Sequence, residues 1–597
     1  MTTPVSPVDE MTGAEEIVWD LSDLLADASE ENVSKVLMEI LSKAEQFAGK
    51  YRGRVASMNA AELAEAMREQ EEIGNAFDRI ATYAGLQWNT ETTNPNYGAL
   101  LQRITEFGAK LEQTLVFFSL EWAAAPDQSA EVIINDAAIT PYKHYLTELR
   151  KLRPHQLSEA EEKIISEKDV TGVAAWQRFM AETLGRIEFE LDNQKLPQDA
   201  VLRMLYKPDR ELRRRAAASV TAGLKTQLPA LTYLFNVVLA DKAATDRLRK
   251  FPAWVSSRNL SNETTDEAVE ALVSAVTSRY DIVARYYNIK KRLLGYDELY
   301  EYDRYAPIGE GESKYNWGDA KNIVLNAFGV FHEELGAIAE QFFTKSWIHA
   351  PARQGKRGGA FAAPVPSVHP YVFVNFSGSS RDVMTLAHEL GHGVHMFLSQ
   401  PRGYYGAGTP LTTAETASVF GEMMVFNDLM ARETDKQAKI GMLASKIEDT
   451  FATVFRQISM NRFENAIHTA RREGGELTTE RFTQHWMETQ SAMFQGSVTL
   501  REDYGIWWSY IPHFINSPGY VYAYAFGELL VMALLAEYRK QGPDFAARYI
   551  EMLSMGGSES PANVVAKAGV NLDDPNFWAQ GLGMIDDMVK QLEALVG

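Results

Sequence analysis

The residues best suited to chemistry form the sequence His-Glu-Leu-Gly-His at positions 388–392. Residues four apart on an α-helix share a face, so His388 and His392 can both contact one metal ion. Glu389 lies one residue along and can reach a water beside that ion without binding the metal itself. This spacing predicts a zinc site with Glu389 as general base, and chance produces it in about one or two of a hundred chains of this length.

A third metal ligand must come from outside this motif. The long pattern with a third histidine six residues on is excluded, because His395 and Leu398 stand where that pattern needs glycine and histidine. The segment after the motif offers Glu415 and Glu422, which are seven apart and share a helical face. We predict that Glu415 is the third ligand and that Glu422 orients a ligand imidazole. Two alternatives stay open: Glu415 could cap its own helix through the spacing Thr412-x-x-Glu415, and Glu422 could be an ordinary surface residue.

The motif needs a rigid element to hold it. Ser379 and Asp382 have the spacing of a capping box, which predicts a helix from there to about Leu398. The clearest strand, His369–Phe376, lies just before it. Other segments have apolar residues at helical spacing: Glu30–Ala125, Glu159–Leu239, Asp319–Phe343 and Ala438–Arg471. We therefore expect a mostly α protein with one small sheet.

Hydrogen-bond donors are concentrated in one downstream segment, residues 513–524. Ser517 and Pro518 predict a helix start, with His513 in the loop before it. On that helix Tyr520 and Tyr524 share a face, and Tyr522 lies on the opposite one. These groups could stabilise the oxyanion of an acyl-transfer reaction, or the tyrosines could be aromatic core residues. The sequence leaves both possibilities open.

The composition excludes several classes of function. The chain has 597 residues and a net charge of −21, which disfavours binding to nucleic acid and to anionic membranes. It has no cysteine, so disulfides and thiolate metal ligands are excluded. No apolar run approaches the ~20 residues that span a bilayer, and no secretory signal is evident, so we expect a cytoplasmic protein.

Taken in order, several motifs resemble the oligoendopeptidase F group of the thimet oligopeptidase-like metallopeptidases. They are Trp19–Leu24, Tyr302–Pro307, Gly359–Phe376, Thr385–His392, Glu415–Ser418, Pro512–Tyr524 and Asp573–Trp578. The resemblance implies a helical ellipsoid split by a deep channel, with an N-terminal helical domain over 1–195 and a catalytic domain over 196–597. It implies one zinc ion per chain with Glu415 as the third ligand. It also maps the family's substrate-stabilising histidine and tyrosines onto His513, Tyr520 and Tyr524.

The combined prediction is a zinc-dependent oligoendopeptidase that hydrolyses internal bonds of short unfolded peptides. The strand near His369 could pair with the backbone of the bound peptide as an edge strand. One alternative is a carboxypeptidase or dipeptidyl carboxypeptidase, in which Arg353, Lys356 or Arg357 takes the substrate's terminal carboxylate. Another is a peptide-binding protein without activity, although binding alone does not need Glu389. Cleavage preference, physiological substrate and oligomeric state are not predicted.

Overall fold

The computed structural model of the protein describes residues 11–309, 314–572, 574 and 576–597, without the side chains of Glu159, Lys163 and Ser166. Two residues of the motif at 573–578, Asp573 and Pro575, lie outside the described residues. The chain divides into two compact units, each built from three segments. Unit 1 comprises Met1–Arg153, Glu312–Arg432 and Glu537–Leu572, and unit 2 comprises Pro154–Gly311, Glu433–Ala536 and Asp573–Gly597. The predicted boundary between domains at 195 and 196 stays a prediction.

Helices dominate both units, as predicted. In the first half of the described chain they are α1 (Glu30–Tyr51), α2 (Ala60–Thr90), α3 (Pro95–Leu115), α4 (Phe117–Ala124), α5 (Asp127–Ile134), α6 (Lys143–Lys151), α7 (Glu159–Asp169), α8 (Val173–Gly185), α9 (Gln198–Arg203), α10 (Arg210–Leu248), α11 (Ser256–Ser261), α12 (Asp266–Thr277) and α13 (Tyr280–Leu293). In the second half they are α14 (Trp317–Phe331), α15 (Glu333–Thr344), α16 (Ser380–Ser399), α17 (Gly403–Gly406), α18 (Leu411–Ala414), α19 (Thr416–Arg432), α20 (Lys436–Thr453), α21 (Phe455–Gly474), α22 (Thr479–Phe494), α23 (His513–Asn516), α24 (Tyr522–Gln541), α25 (Pro543–Leu553), α26 (Pro561–Ala566) and α27 (Phe577–Val596).

A hairpin interrupts the segment Glu159–Leu239, which the sequence pattern predicts to be helical throughout. Its strands β1 (Phe189–Leu191) and β2 (Gln194–Leu196) pair antiparallel. Asp192 and Asn193 join them with φ angles of 51° and 64°, which match a tight two-residue hairpin turn. Each strand has only three residues, which is too short to be distinguished from the helical pattern on either side.

The three-stranded sheet of unit 1 lies directly before the helix that carries the motif. It contains β3 (Ile348–Pro351), β4 (Phe361–Ala363) and β5 (Tyr371–Phe376) in the order β3-β5-β4. Strand β5 is parallel to β3 and antiparallel to β4, so both of its edges are already paired. The prediction that this strand pairs with a bound peptide is therefore wrong. The outer strands of this sheet are β3 and β4.

Each unit has its own apolar core. In unit 1 the N-terminal motif supplies Trp19 and Leu24, which pack with Tyr371 and Phe373 of β5. Helices α1 to α6 of the same unit enclose a second apolar cluster that contains Trp122. In unit 2 an aromatic cluster forms around Phe235, Trp486 and Trp508. None of the described helices has the length and apolar character needed to cross a bilayer.

Candidate active site

Helix α16, which carries the motif, starts at the predicted capping box. Ser379 accepts a hydrogen bond from the backbone N–H of Asp382, whose carboxylate accepts one from the backbone N–H of Ser379. The same carboxylate also accepts bonds from the backbone and hydroxyl of Ser377, at 2.9 and 2.7 Å. Two of the four N–H groups that a helix leaves unpaired at its start are typically satisfied by such caps. The first turn is thereby fixed, and His388 to His392 lie mid-helix.

Two glycines allow α16 and α19 to approach closely. A Cβ atom at Gly391 would collide with the backbone at Ala417 and Ser418. A Cβ at Gly421 would lie 3.2 Å from the carbonyl oxygen of Ala387. The glycine of the motif is therefore a packing residue, since any larger side chain would push the two helices apart. This close contact brings Glu415, the residue just before α19, to the histidines.

The three predicted ligands meet at one point. The Oε2 atom of Glu415 lies 3.4 Å from the Nε2 atom of His388 and 3.4 Å from the Nε2 atom of His392. One donor atom from each residue lies within 4.8 Å of the other two. Four ligands at ~2.0–2.1 Å around a tetrahedral zinc ion are separated by about 3.3 Å. The donor set and its spacing therefore fit a zinc ion with one coordination position left for water or substrate.

The side chain of Glu415 points to the imidazoles and not to the start of its own helix. Its Oε2 atom accepts a hydrogen bond of 2.7 Å from the hydroxyl of Ser418. Burial raises the pKa of Glu415, but the hydrogen bond and charge of His392, the charge of His388 and the Ser418 bond outweigh burial and lower it to about 2. The carboxylate is therefore ionised, as a metal ligand must be. These contacts favour the ligand interpretation over the cap.

Glu422 contacts the far side of the His388 ring. Its Oε2 atom lies 3.3 Å from the Nδ1 atom of His388. Burial lowers the pKa of His388, while this hydrogen bond and the charges of Glu415, Glu389 and Glu422 raise it to about 8. A carboxylate on Nδ1 holds the ring so that Nε2 is presented to the metal position. The interpretation of Glu422 as an ordinary surface residue is thus disfavoured.

Glu389 is buried beside this group, with only 6% of its surface exposed. Its carboxylate accepts a hydrogen bond from the backbone N–H of Ala362 in β4. Its Oε2 atom has no hydrogen-bond partner among the residues that the structure describes. Burial raises the pKa of Glu389, and the charges of His388 and His392 partly oppose that rise. The sheet thus holds this carboxylate at the wall of the cavity, and its Oε2 atom is buried.

A cavity of about 730 Å³ in unit 1 opens onto these side chains. His388, Glu389, His392 and Glu415 line it together with Phe361 and Ala362 of strand β4. His395 also lines it, but it is outside the ligand group, and burial together with the charge of His392 lowers its pKa to about 4. The cavity has the size and the convergent polar groups of a substrate-binding site.

The basic loop that the carboxypeptidase alternative requires has a structural role. Lys356 donates hydrogen bonds to the backbone carbonyls of Pro351 and Val374 at 2.8 and 2.6 Å, which join β3 and β5. Arg353 donates to the carbonyl of Thr90 at 3.2 Å. None of Arg353, Lys356 and Arg357 is among the described residues that line the cavity. This observation weakens the case for capture of a terminal carboxylate by the loop.

The predicted helix at Pro518 in unit 2 is wrong. Gly519 has φ +75°, a left-handed conformation that ends helical continuity, and α24 starts only at Tyr522. His513 is the first residue of the four-residue helix α23 and is not in a loop. Tyr520 therefore precedes α24, and only Tyr522 and Tyr524 belong to it.

The predicted grouping of side chains nevertheless forms within unit 2. The rings of Tyr520 and Tyr524 lie 4.9 Å apart, and the hydroxyl of Tyr524 lies 3.4 Å from Nε2 of His513. Burial and the charge of Arg456 lower the pKa of His513, which favours its neutral form. Tyr522 is fully buried, and its hydroxyl accepts a hydrogen bond of 2.9 Å from Asn262. The core-packing interpretation thus applies to Tyr522, and Tyr520 and Tyr524 belong to the polar group.

Three contributing residues are absent from the sequence-based prediction. Ala362 holds Glu389 through its backbone, so no side-chain pattern could indicate it. Ser418 bonds Glu415 and is visible only as part of the short motif at 415–418. Glu464 is fully buried on α21 and accepts a hydrogen bond of 2.9 Å from the backbone N–H of Gly519. It is 55 residues away in sequence, and no local signal connects the two.

Comparison with known protein families identifies peptidases along most of the chain. The family described as Peptidase family M3 matches residues 203–584, and the one described as Oligopeptidase F matches residues 121–189. Oligopeptidase PepF of Bacillus subtilis is 27% identical over 558 residues, which cover 92% of this chain and 83% of PepF. An oligoendopeptidase F homolog of Borreliella burgdorferi is 27% identical over 564 residues, which cover 93% of this chain and 94% of that protein.

Solved structures share the fold over nearly the whole chain. A protein of Chlamydophila abortus matches with a TM-score of 0.86 at 22% identity, covering 97% of this chain and 98% of that chain. Oligoendopeptidase-F from Enterococcus faecium matches with a TM-score of 0.71 at 21% identity, covering 95% of this chain and 99% of that chain. Such likenesses establish the predominantly helical fold, as predicted.

Proposed function

The chain belongs to peptidase family M3, a family of metalloendopeptidases, and from this premise we propose that it is a zinc-dependent oligoendopeptidase. The observation that carries the proposal is the meeting of His388, His392 and Glu415 at one point beside the buried carboxylate of Glu389. The resemblance noted in the sequence is confirmed by the family match. Peptide hydrolysis follows from the family, and the identity of the metal and the roles of the residues are the proposed part.

His388, His392 and Glu415 would hold the zinc ion. When bound, zinc supplies a Lewis acid that acidifies water and polarises a carbonyl. No cysteine is present in the sequence, so imidazole and carboxylate are the donors that the chain can offer. Glu422 and Ser418 fix the orientation of His388 and Glu415 through the hydrogen bonds described above.

Glu389 is proposed as the general base. Its carboxylate accepts a proton from the attacking water as the water oxygen bonds to the scissile carbonyl carbon. The same carboxyl group then gives that proton to the amide nitrogen, and the C–N bond breaks to leave an acid and an amine. The backbone N–H of Ala362 keeps the carboxylate directed into the cavity during both transfers.

The peptide backbone could pair with strand β4. This strand is at the edge of its sheet, and both Phe361 and Ala362 line the cavity. Pairing through main-chain hydrogen bonds binds an extended peptide with little dependence on its sequence. Strand β4 thus takes the peptide-binding role that the sequence pattern suggested for β5, which lies at the centre of the sheet.

The donors to the oxyanion are also part of the proposal. We assign this role to His513, Tyr520 and Tyr524 because the resemblance maps the family's residues onto them and because they form one polar group in unit 2. Tyr522 is excluded from this role by its burial and its bond with Asn262. Cytoplasmic location, expected from the sequence, stays a prediction.

The test is mass spectrometry of products from a random peptide mixture, with every peptide blocked at its C-terminus by an amide. An endopeptidase cleaves these peptides internally, whereas a carboxypeptidase that needs a free carboxylate leaves them intact. Activity should disappear with a chelator and return on addition of zinc. Cleavage that continues after complete metal removal, or that occurs only on peptides with free C-termini, would contradict the proposal. A well-folded protein should resist cleavage as the size control.

A further inference from the structure

The cavity of unit 1 has an acidic residue besides Glu389 and Glu415. Asp78 on α2 lines the cavity that His388, Glu389, His392 and Glu415 also line. Its carboxylate accepts a hydrogen bond from the hydroxyl of Tyr404, which lines the same cavity. Burial raises the pKa of Asp78, and no lysine or arginine among the described residues acts to lower it. A partly buried carboxylate without a compensating cation is costly, so a cationic ligand would stabilise it.

Tyr404 is itself held firmly by α2. Its backbone N–H donates a hydrogen bond of 2.6 Å to Glu71, and its ring occupies the space that a side chain at position 74 would need. Glu71, Gly74 and Asp78 lie at positions i, i+3 and i+7 and therefore share one face of α2. The hydroxyl of Tyr142 donates a further bond of 3.1 Å to Glu71. The carboxylate of Asp78 thus has a defined position that the helix and Tyr404 impose together.

The walls of this cavity are mostly apolar. They include Pro364, Val365, Pro366, Pro370 and Met396. No lysine or arginine is among the described residues that line it, so its charged side chains other than histidines are all carboxylates. An apolar wall next to a carboxylate suits a long side chain that has an aliphatic stem and a cationic head.

We propose that Asp78 and Tyr404 form a subsite that binds a cationic group of the substrate peptide, the side chain of arginine or lysine or the free N-terminal ammonium. This inference rests on the proposed peptidase function and adds a preference among substrates. Asp78 accepts the hydrogen bonds of the cation, and Tyr404 fixes the orientation of the carboxylate. A carboxylate placed to hydrogen-bond a charged group discriminates strongly against a neutral analogue of the same shape.

The test uses matched peptides around one known cleavage site. At each position in turn, arginine is compared with citrulline, which has nearly the same shape but no charge, and lysine with norleucine. A second arm compares free and acetylated N-termini, which separates a side-chain cation from a terminal one. At one position we expect kcat/KM for the charged peptide to exceed that for the neutral one by on the order of tenfold. In the Asp78→Asn enzyme that ratio should fall to near one.

Glu72→Gln is the matched control, because Glu72 is exposed on the same helix and the substitution makes the same change in net charge. It should keep the wild-type ratio. Metal content and the thermal transition show whether the Asp78→Asn enzyme is folded. The ratio measured on the wild-type enzyme tests the subsite even if that variant does not fold. A ratio near one at every position and at the N-terminus, with cleavage of neutral peptides intact, would overturn the subsite but not the peptidase function. Absence of cleavage of all peptides by the zinc-loaded enzyme would instead refute the proposed function.

Discussion

Two regions that we assign to catalysis are built in different ways. In unit 1 the metal-ligand group is carried by α16 and by the residue that precedes α19, and helix spacing and close helix packing fix each donor. In unit 2 the group of His513, Tyr520 and Tyr524 extends over a short helix, a bend at Gly519 and the first turn of α24. The first region is determined by regular geometry, and the second by an irregular backbone.

The two regions differ in what determines the positions of their side chains. The distance between His388 and His392 follows from helical pitch alone and is insensitive to the rest of the chain. The position of Tyr520 relative to Tyr524 depends on the left-handed conformation of Gly519 and on the bond from its N–H to Glu464. Substitutions in the first region should therefore affect chemistry directly, whereas those in the second can also act through the bend.

The largest effect is expected in the first region, from Glu389→Gln. The variant should retain its metal, because Glu389 is not a ligand, while kcat falls by roughly 10²–10⁴ through loss of proton transfer. Metal analysis and steady-state kinetics on one quenched peptide measure the two quantities. A variant that keeps more than about a tenth of wild-type kcat would show that Glu389 is not the general base.

In the second region, Tyr520→Phe or Tyr524→Phe should lower kcat by roughly 10²–10³, the usual loss for one oxyanion donor. The change in KM should be small, because the interaction is made mainly in the transition state. Kinetics of both variants on the same peptide provides the measurement.

Tyr522→Phe is the control for this pair. Its hydroxyl bonds Asn262 inside the core, so its loss should reduce stability slightly and leave kcat nearly unchanged. A large loss of kcat confined to Tyr522→Phe would show that the wrong tyrosines have been assigned. Normal kcat for all three variants would mean that these tyrosines serve only in aromatic packing.

The same contrast explains what the sequence could predict. The capping box at Ser379, the helix that carries the motif and the predominantly α fold follow from local patterns and are confirmed. The helix start predicted at Pro518 is wrong, because a local pattern could not include the bend at Gly519. The contacts of Asp78 and Glu464 also join parts of the chain that no local pattern relates. The central position of β5 depends on β4, a strand of only three residues.

A smaller effect is expected from Glu422→Gln in the first region. The amide still reaches Nδ1 of His388 but no longer offers a charged acceptor, so the affinity for zinc should fall by about 10- to 100-fold. Competition with a coloured zinc chelator measures it without reference to activity. Glu333→Gln, on the exposed face of α15, is the control and should bind zinc as the wild type does. Equal affinities for all three proteins would mean that Glu422 does not support the metal site.

The smallest effect is expected for the stability of the second region, where Glu464 supports the bend at Gly519. Glu464 is fully buried, its Oε1 atom bonds the N–H of Gly519, and its Oε2 atom has no hydrogen-bond partner among the described residues. Arg258 and Lys242 act on it from neighbouring helices, and His468 lies one turn along α21. Burial raises the pKa of Glu464 to about 8 against the opposing influence of the Gly519 bond and the two cations. The folded protein therefore keeps a proton that the unfolded chain releases near pH 4.5.

Because the folded state binds the extra proton, the free energy of unfolding should decrease as pH rises from about 4.5 to about 8. Glu464→Gln retains an acceptor for Gly519 but cannot ionise, so this decrease should be absent from the variant. The difference in Tm between variant and wild type should thus shift in favour of the variant by roughly 5 °C between pH 5 and pH 8.5. His468, whose pKa burial lowers strongly, destabilises both proteins equally at low pH and cancels from the difference. Calorimetry across this pH range measures the shift, and parallel Tm profiles for the two proteins would show that Glu464 is not protonated in the folded state.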